Sequence, residues 1–197
     1  MLAAGEEALE RFQALGNVKA VTLVHTNLAY NAFGFGDYER AQRHVDAGLS
    51  IVKETGDELE LAWIRGNEGL VALVTDQPER AAQAFSREVD YARDHAYDEM
   101  LAEGLRGLAA LFAARGRDAI AARILGSLDE LALGGQDEST AELLQARFFA
   151  PSRERIGATA WDRARSAGAG LDRDAVVTLA LRTARDRGER DAAPAPC

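Results

Sequence analysis

His25, His44 and His95 are the side chains of this sequence best suited to proton transfer or metal ligation near neutral pH. They fall on three different helical segments, and none belongs to the His-Glu-x-x-His pattern that sets two imidazoles on one helix face. Solvated or internally satisfied rings are expected, and no metal. The paired acids Glu6-Glu7, Asp57-Glu58 and Asp98-Glu99 stand at helix starts, where negative charge suits the helix dipole, and nothing marks them as an acid and base. Ser86 and Ser127 lack a neighbouring base and an oxyanion-forming turn. Gly34-Phe35-Gly36 and Gly168-Ala169-Gly170 are the tight glycine pairs, but both lie where a helix must end, not after a strand, and no G-x-x-x-x-G-K-[ST] run occurs. Neither a dinucleotide site nor a P-loop is expected. Cys197 stands alone in a Pro/Ala tail, without a partner for a disulfide or a thiolate cluster. These residues point away from an enzyme and require no cofactor.

The elements that carry them belong to a chain of 197 residues, 47% hydrophobic and 28% charged, enough for one globular unit with a real core. With 32 acids against 23 bases the net charge is −9, so the chain gains no counterion-release affinity for a phosphate backbone, and nucleic acid is not an expected partner. No apolar run approaches the roughly 20 residues that span a bilayer, and the N-terminal MLAAGEEALERF lacks the character of a secretory signal. A cytoplasmic, non-membrane protein is expected. Arg163, Arg165, Arg173, Arg182, Arg185 and Arg187 make the C-terminal end locally basic, but Asp162, Asp172, Asp174 and Asp186 interleave with them and a solvated face is expected.

Laid against itself, the chain repeats every 40 residues: Ala29, Gly69 and Ala109 align, as do Ala41, Ala81 and Ala121, then Val45, Phe85 and Leu125. A breaker separates the small residues in each copy: Gly36-Asp37-Tyr38, Asp76-Gln77-Pro78 and Gly116-Arg117-Asp118. Gly16-Asn17 and Gly56-Asp57 mark joints between copies, with degenerate joints at Ala96-Tyr97-Asp98 and Gly134-Gly135, and Asp57 with Glu60 reads as a capping box. The unit is helix, turn, helix, with small residues where axes approach and large ones beside them. Helices are predicted at 2–15, 18–34, 38–55, 58–74, 78–94, 98–114 and 118–133. The first is the second half of a repeat whose partner is missing, leaving Leu2, Leu9, Phe12 and Leu15 as an uncovered face that caps the stack, marks a cut from a longer protein or dimerises.

Beyond the repeat array of residues 1–135, helices at 139–149 and 152–167, restarted by Pro151-Ser152, and a last one capped by Asp172 make residues 136–187 a helical cap. Residues 188–197 read as a disordered tail.

Asn27-Leu28-Ala29, Gly36-Asp37-Tyr38, Ala41 and Val45 resemble the tetratricopeptide repeat (TPR), and Asn67, Gly69, Pro78, Ala81 and Phe85, then Leu108, Ala109, Gly116, Ala121 and Leu125, continue the likeness. The longer 40-residue spacing, and the run from Gly107 through Leu181, are similar to the C-terminal repeat regions of LuxR-type and SARP-type bacterial transcriptional regulators and related signal-transduction ATPases. The resemblance implies an all-α, right-handed helix-turn-helix solenoid with a C-terminal helical cap, acting as a sensing or docking arm in transcription regulation and signal transduction. It implies a protein or peptide partner on the concave face of the first helices. Carried over by position, that face offers Leu23, Thr26, Asn27, Tyr30 and Phe33, then Trp63, Asn67, Leu70 and Leu73, then Arg106. Asn27 and Asn67 stand where such repeats grip a backbone amide. Tyr30 and Trp63 offer flat apolar area with a polar edge. Glu103 and Gly107 stand where a terminal carboxylate would want bases. The alternatives are a small-molecule sensor lined by Tyr30, Phe33, Trp63 and Leu70, and a homodimerisation arm built on Leu9 and Phe12.

Overall fold

The computed structural model describes residues 2–130 and 138–186. Its elements are helices α1 (Leu2–Ala14), α2 (Val18–Gly34), α3 (Tyr38–Thr55), α4 (Glu58–Val74), α5 (Pro78–His95), α6 (Asp98–Ala114) and α7 (Asp118–Glu130). There follow α8 (Glu138–Leu144), a π-helical turn (Gln145–Phe149), α9 (Ala150–Ile156), α10 (Ala158–Ala169) and α11 (Arg173–Arg185). The end of the helix predicted to 133, the Gly134-Gly135 joint and the tail at 188–197 lie outside the described residues.

The joints follow from local chemistry. Gly16, Gly36 and Gly56 hold φ of 64°, 77° and 70°, a left-handed backbone that glycine adopts without a Cβ penalty. The next residue in each case caps the new helix: Asn17, Asp37 and Asp57 accept from the backbone N–H groups of Ala20, Arg40 and Glu60 at 3.0–3.1 Å. Asp76 and Ala96 make the same left-handed turn at φ 58° and 57° against a steric cost of roughly 1 kcal/mol. Pro78 then opens α5, where its missing N–H costs nothing. The predicted capping box is corrected in one half, because the Glu60 carboxylate turns instead to accept from Thr26 Oγ1 at 3.3 Å.

Each helix from α1 to α7 packs on the next, and α2, α4 and α6 also pack side by side, so they form an inner layer with α3, α5 and α7 outside. The protein is an all-α helical repeat solenoid. The aligned small residues Ala29, Ala109, Ala41, Ala81 and Ala121 are fully buried, as are the large partners Val45 and Phe85. A Cβ at Gly69 would come 2.5 Å from the Phe85 ring, so the α4–α5 approach requires glycine there.

The C-terminal helices close the stack differently from the sequence expectation. Pro151-Ser152 does not restart the chain: Pro151 lies in the first turn of α9, and the π turn leads into it without a break. The helix predicted over 152–167 is interrupted at Gly157, whose φ of 81° ends α9 and starts α10. Ser152 Oγ donates to Asp118 Oδ1 at 2.5 Å, and Arg155 Nη2 donates to Asp118 Oδ1 at 2.6 Å and to the Ala113 carbonyl at 2.5 Å, tying α9 to the α6–α7 joint. Helix α10 lies along α7, and α11 packs against α5 and α6. Among the described residues no helix is long and apolar enough to cross a membrane.

Candidate functional site

On three neighbouring helices of the inner layer a stripe stays accessible while most other positions are buried. On α2 the stripe includes Lys19, Leu23, Asn27, Tyr30 and Asn31. On α4 it includes Leu59 and Trp63, and on α6 Asp98, Glu99, Glu103 and Arg106. The i, i+3 and i+4 spacing within each stripe puts its members on one helix face.

The C-terminal half of this inner face is occupied by the chain itself. Every residue of α4 from Gly66 to Val74 is buried. Arg147 Nη2, on the π turn, donates to the Val74 carbonyl at 2.7 Å, satisfying an acceptor that the end of α4 leaves open and placing a cation at the negative end of its dipole. Ser139 fills the space beside Gly34, where a Cβ would meet Ser139 Oγ at 2.7 Å. Phe148 and Phe149 are buried in the core cluster. The N-terminal half remains open: Leu23 is 48% exposed, Asn27 is exposed and Trp63 is half-buried.

The expected groove residues divide accordingly. Asn27 and Trp63 lie on the open half. Tyr30 is half-buried with its hydroxyl inside, near Arg106. Phe33 is fully buried and its ring packs on Tyr38 at 5.6 Å between centroids. Leu70 is a core residue. Asn67 is buried and donates Nδ2 to the Thr26 carbonyl at 2.9 Å, tying α4 to α2. Its amide is satisfied within the fold. Arg106 borders a cavity of about 170 Å³ together with Leu125, Asp129, Gln145, Phe149 and Arg165. Burial lowers the Arg106 pKa from its ordinary value, against the pull of Glu103, Tyr30 and Asp129.

On α1, Leu9 and Phe12 are both half-buried. Phe12 lines a shallow depression of about 380 Å³ with Ala4, Ala8, Arg11 and Leu15, and Leu15 is 76% exposed.

Two features escaped sequence reasoning. His25 and His44, from different helices of one repeat, face each other with Nδ1 atoms 3.0 Å apart. Burial lowers the pKa of His25, and the His44 charge lowers it further. Burial also lowers that of His44, helped by Arg40 and Arg43 and opposed by Glu6 and Asp37. Among the described residues no group of three or more His, Cys, Asp or Glu side chains is placed to hold a metal. The second feature is Glu88 on α5, which is fully buried with neither carboxyl oxygen hydrogen-bonded. A Cβ at Gly66 would overlap that carboxylate, and one at Gly104 would come 3.0 Å from Oε2. A glutamate among apolar positions of an amphipathic helix reads as solvated, and only the glycines opposite hinted otherwise.

Neither a family model nor a curated protein nor a solved structure matches the chain.

Proposed function

We propose that the chain is a non-enzymatic docking and sensing module that takes a protein or peptide segment on the open half of its inner face, as part of a cytoplasmic bacterial regulatory protein of the kind its repeats resemble. The observation that carries this reading is that Leu23, Asn27 and Trp63 stay accessible on helices that pack side by side. An exposed leucine beside a half-buried tryptophan supplies apolar area at little entropic cost, and the Asn27 amide has a donor and an acceptor for a peptide backbone. A small-molecule sensor is less well supported, because Phe33 and Leu70 are core residues and the cavity beside Arg106, at about 170 Å³, is smaller than the roughly 300 Å³ at which ligand pockets begin.

The test is selection from a random peptide library on the full chain, with affinities then measured on the wild type and on a Leu23→Glu, Trp63→Ala double variant. Selected peptides are expected to weaken about tenfold or more on the variant. Equal affinity for both proteins overturns the reading.

A second reading, homodimerisation through α1, is favoured by the Phe12-lined depression and the exposed Leu15. Light scattering coupled to size exclusion decides it. A dimer that Phe12→Glu with Leu15→Glu converts to a folded monomer supports an interface there, and a wild-type monomer removes it.

A further inference from the structure

The open half of the inner face is chemically lopsided. Its α2 edge presents Leu23, its middle Leu59 and Trp63, and its α6 edge Glu99 and Glu103, one turn apart on the same stripe. Like charges at that spacing repel. Three cations stand nearby. Arg106 offsets Glu103 in part but also feels Asp129, Lys19 acts on Glu60 at the other edge, and Arg173 of α11 pairs with Asp98 at the start of α6.

Behind this strip lies Glu88. Its carboxylate reaches from α5 into the seam between α4 and α6, against Gly66, one turn from Trp63, and against Gly104, the neighbour of Glu103. It is fully buried and both oxygens lack a hydrogen-bond partner, an arrangement that costs stability unless another interaction offsets it. We infer that the open half of the inner face docks a basic segment, one carrying a lysine or arginine beside apolar residues, with the cation lodged between the Trp63 ring and the Glu103 carboxylate and the apolar neighbours on Leu23 and Leu59. This rests on the docking reading above.

The geometry suits that occupant for three reasons. A cation over an indole face gains from the ring quadrupole, and a half-buried carboxylate within reach adds a charge-assisted hydrogen bond in a medium less screening than bulk water. An acidic segment would meet Glu99 and Glu103 and be repelled. Burial pushes Glu103 up to about 7, with Glu99 contributing and Arg106 opposing, so a docked cation also draws this group back to its charged form.

The experiment uses the full chain carrying Trp161→Phe, which leaves Trp63 as the sole indole. A short peptide alternating lysine and leucine, and its counterpart with glutamate for every lysine, are titrated by calorimetry and Trp63 fluorescence at low and high salt. The lysine peptide is expected to bind with a change in Trp63 emission and the glutamate peptide to fail. Glu103→Gln, and independently Glu99→Gln, should weaken the lysine peptide about five- to tenfold, whereas Glu10→Gln on the exposed side of α1 leaves it unchanged. Circular dichroism checks that each variant is folded. An equal loss in Glu10→Gln means general attraction to an acidic protein and overturns the inference, as does no binding of the lysine peptide. Equal, Trp63-dependent binding of both peptides overturns the basic partner but leaves the docking reading standing. That reading fails separately, when the library selection yields nothing sensitive to Trp63.

Discussion

Phe85 and Glu88, one turn apart on α5, enter matching slots between α4 and α6: Gly69 and Gly107 flank the Phe85 ring, and Gly66 and Gly104 flank the Glu88 carboxylate. Two glycines three residues apart on each inner helix therefore accept two side chains from the outer one. The first slot is an apolar contact of the kind that repeat stacking needs. The second has the same shape but holds a carboxyl, and it opens behind the proposed docking strip.

The Phe85 slot has no room for a methyl group. Gly69→Ala is expected to destabilise the fold by about 1–3 kcal/mol, because the new Cβ meets a rigid ring at 2.5 Å. Phe85→Leu should recover part of that loss in the double variant, where the singles alone would add. Urea unfolding of the four proteins checks the coupling.

At the C-terminal cap, Gly126 of α7 and Gly168 of α10 each face backbone: a Cβ at Gly126 overlaps the Arg165 carbonyl, and one at Gly168 overlaps that of Arg123. Backbone cannot swing aside as a flexible side chain does. Gly168→Ala should therefore force α10 off α7, with faster amide exchange in α9 and α10 and little change in α2 to α4. Hydrogen exchange read by mass spectrometry gives the pattern, and uniform protection across α7 and α10 in the variant would contradict it.

Glu88 dictates a pH dependence of one sign. Burial raises its pKa well above the ordinary 4.5, and Glu103 adds to the rise, so the folded protein holds protons that the unfolded chain releases. Stability from this site is greatest below the ordinary value and declines as pH rises from there through the folded pKa. Glu88→Gln, which resembles the protonated acid in shape, should melt at higher temperature than the wild type at pH 8, with the gap closing towards pH 5. Parallel melting curves at both pH values would show that the carboxyl is not held protonated.

The His25–His44 pair works in the opposite direction. Both folded pKa values lie below the ordinary 6.5, so below that pH the unfolded chain binds more protons and stability falls as the solution is acidified. With a single shared proton the two Nδ1 atoms bond at 3.0 Å, and with two they repel. Replacing both rings, in a His25→Gln, His44→Gln variant, should remove this part of the acid loss between pH 7 and pH 5. It is read most clearly in the Glu88→Gln background, where the opposing carboxyl is silent. An unchanged acid slope would assign the loss to other groups.

The helix boundaries from α1 to the start of α7 were legible in the linear chain because their causes are local. A glycine at positive φ followed by Asn17, Asp37 or Asp57 terminates one helix and caps the next within a few residues, whatever lies across the core. The repeat of small and large residues was legible for a related reason: Gly69 and Phe85 record a contact between adjacent helices, and adjacency in a solenoid follows chain order. The inner face was not legible to the same depth. Phe33, Leu70 and Trp63 share a helical period, and periodicity identifies a stripe without saying whether a later segment will cover it. Packing from far along the chain makes that choice. Arg147 reaches the end of α4 and Ser139 the end of α2, in the half where Leu70 is buried, while Trp63 in the other half stays accessible. The same holds for Asn67, whose partner is a carbonyl on another helix, and for Glu88, whose burial depends on glycines of α4 and α6 arriving from both sides. Local backbone chemistry sets where helices begin and end, while the free energy of burial, summed over contacts distant in sequence, sets which of their faces meet water.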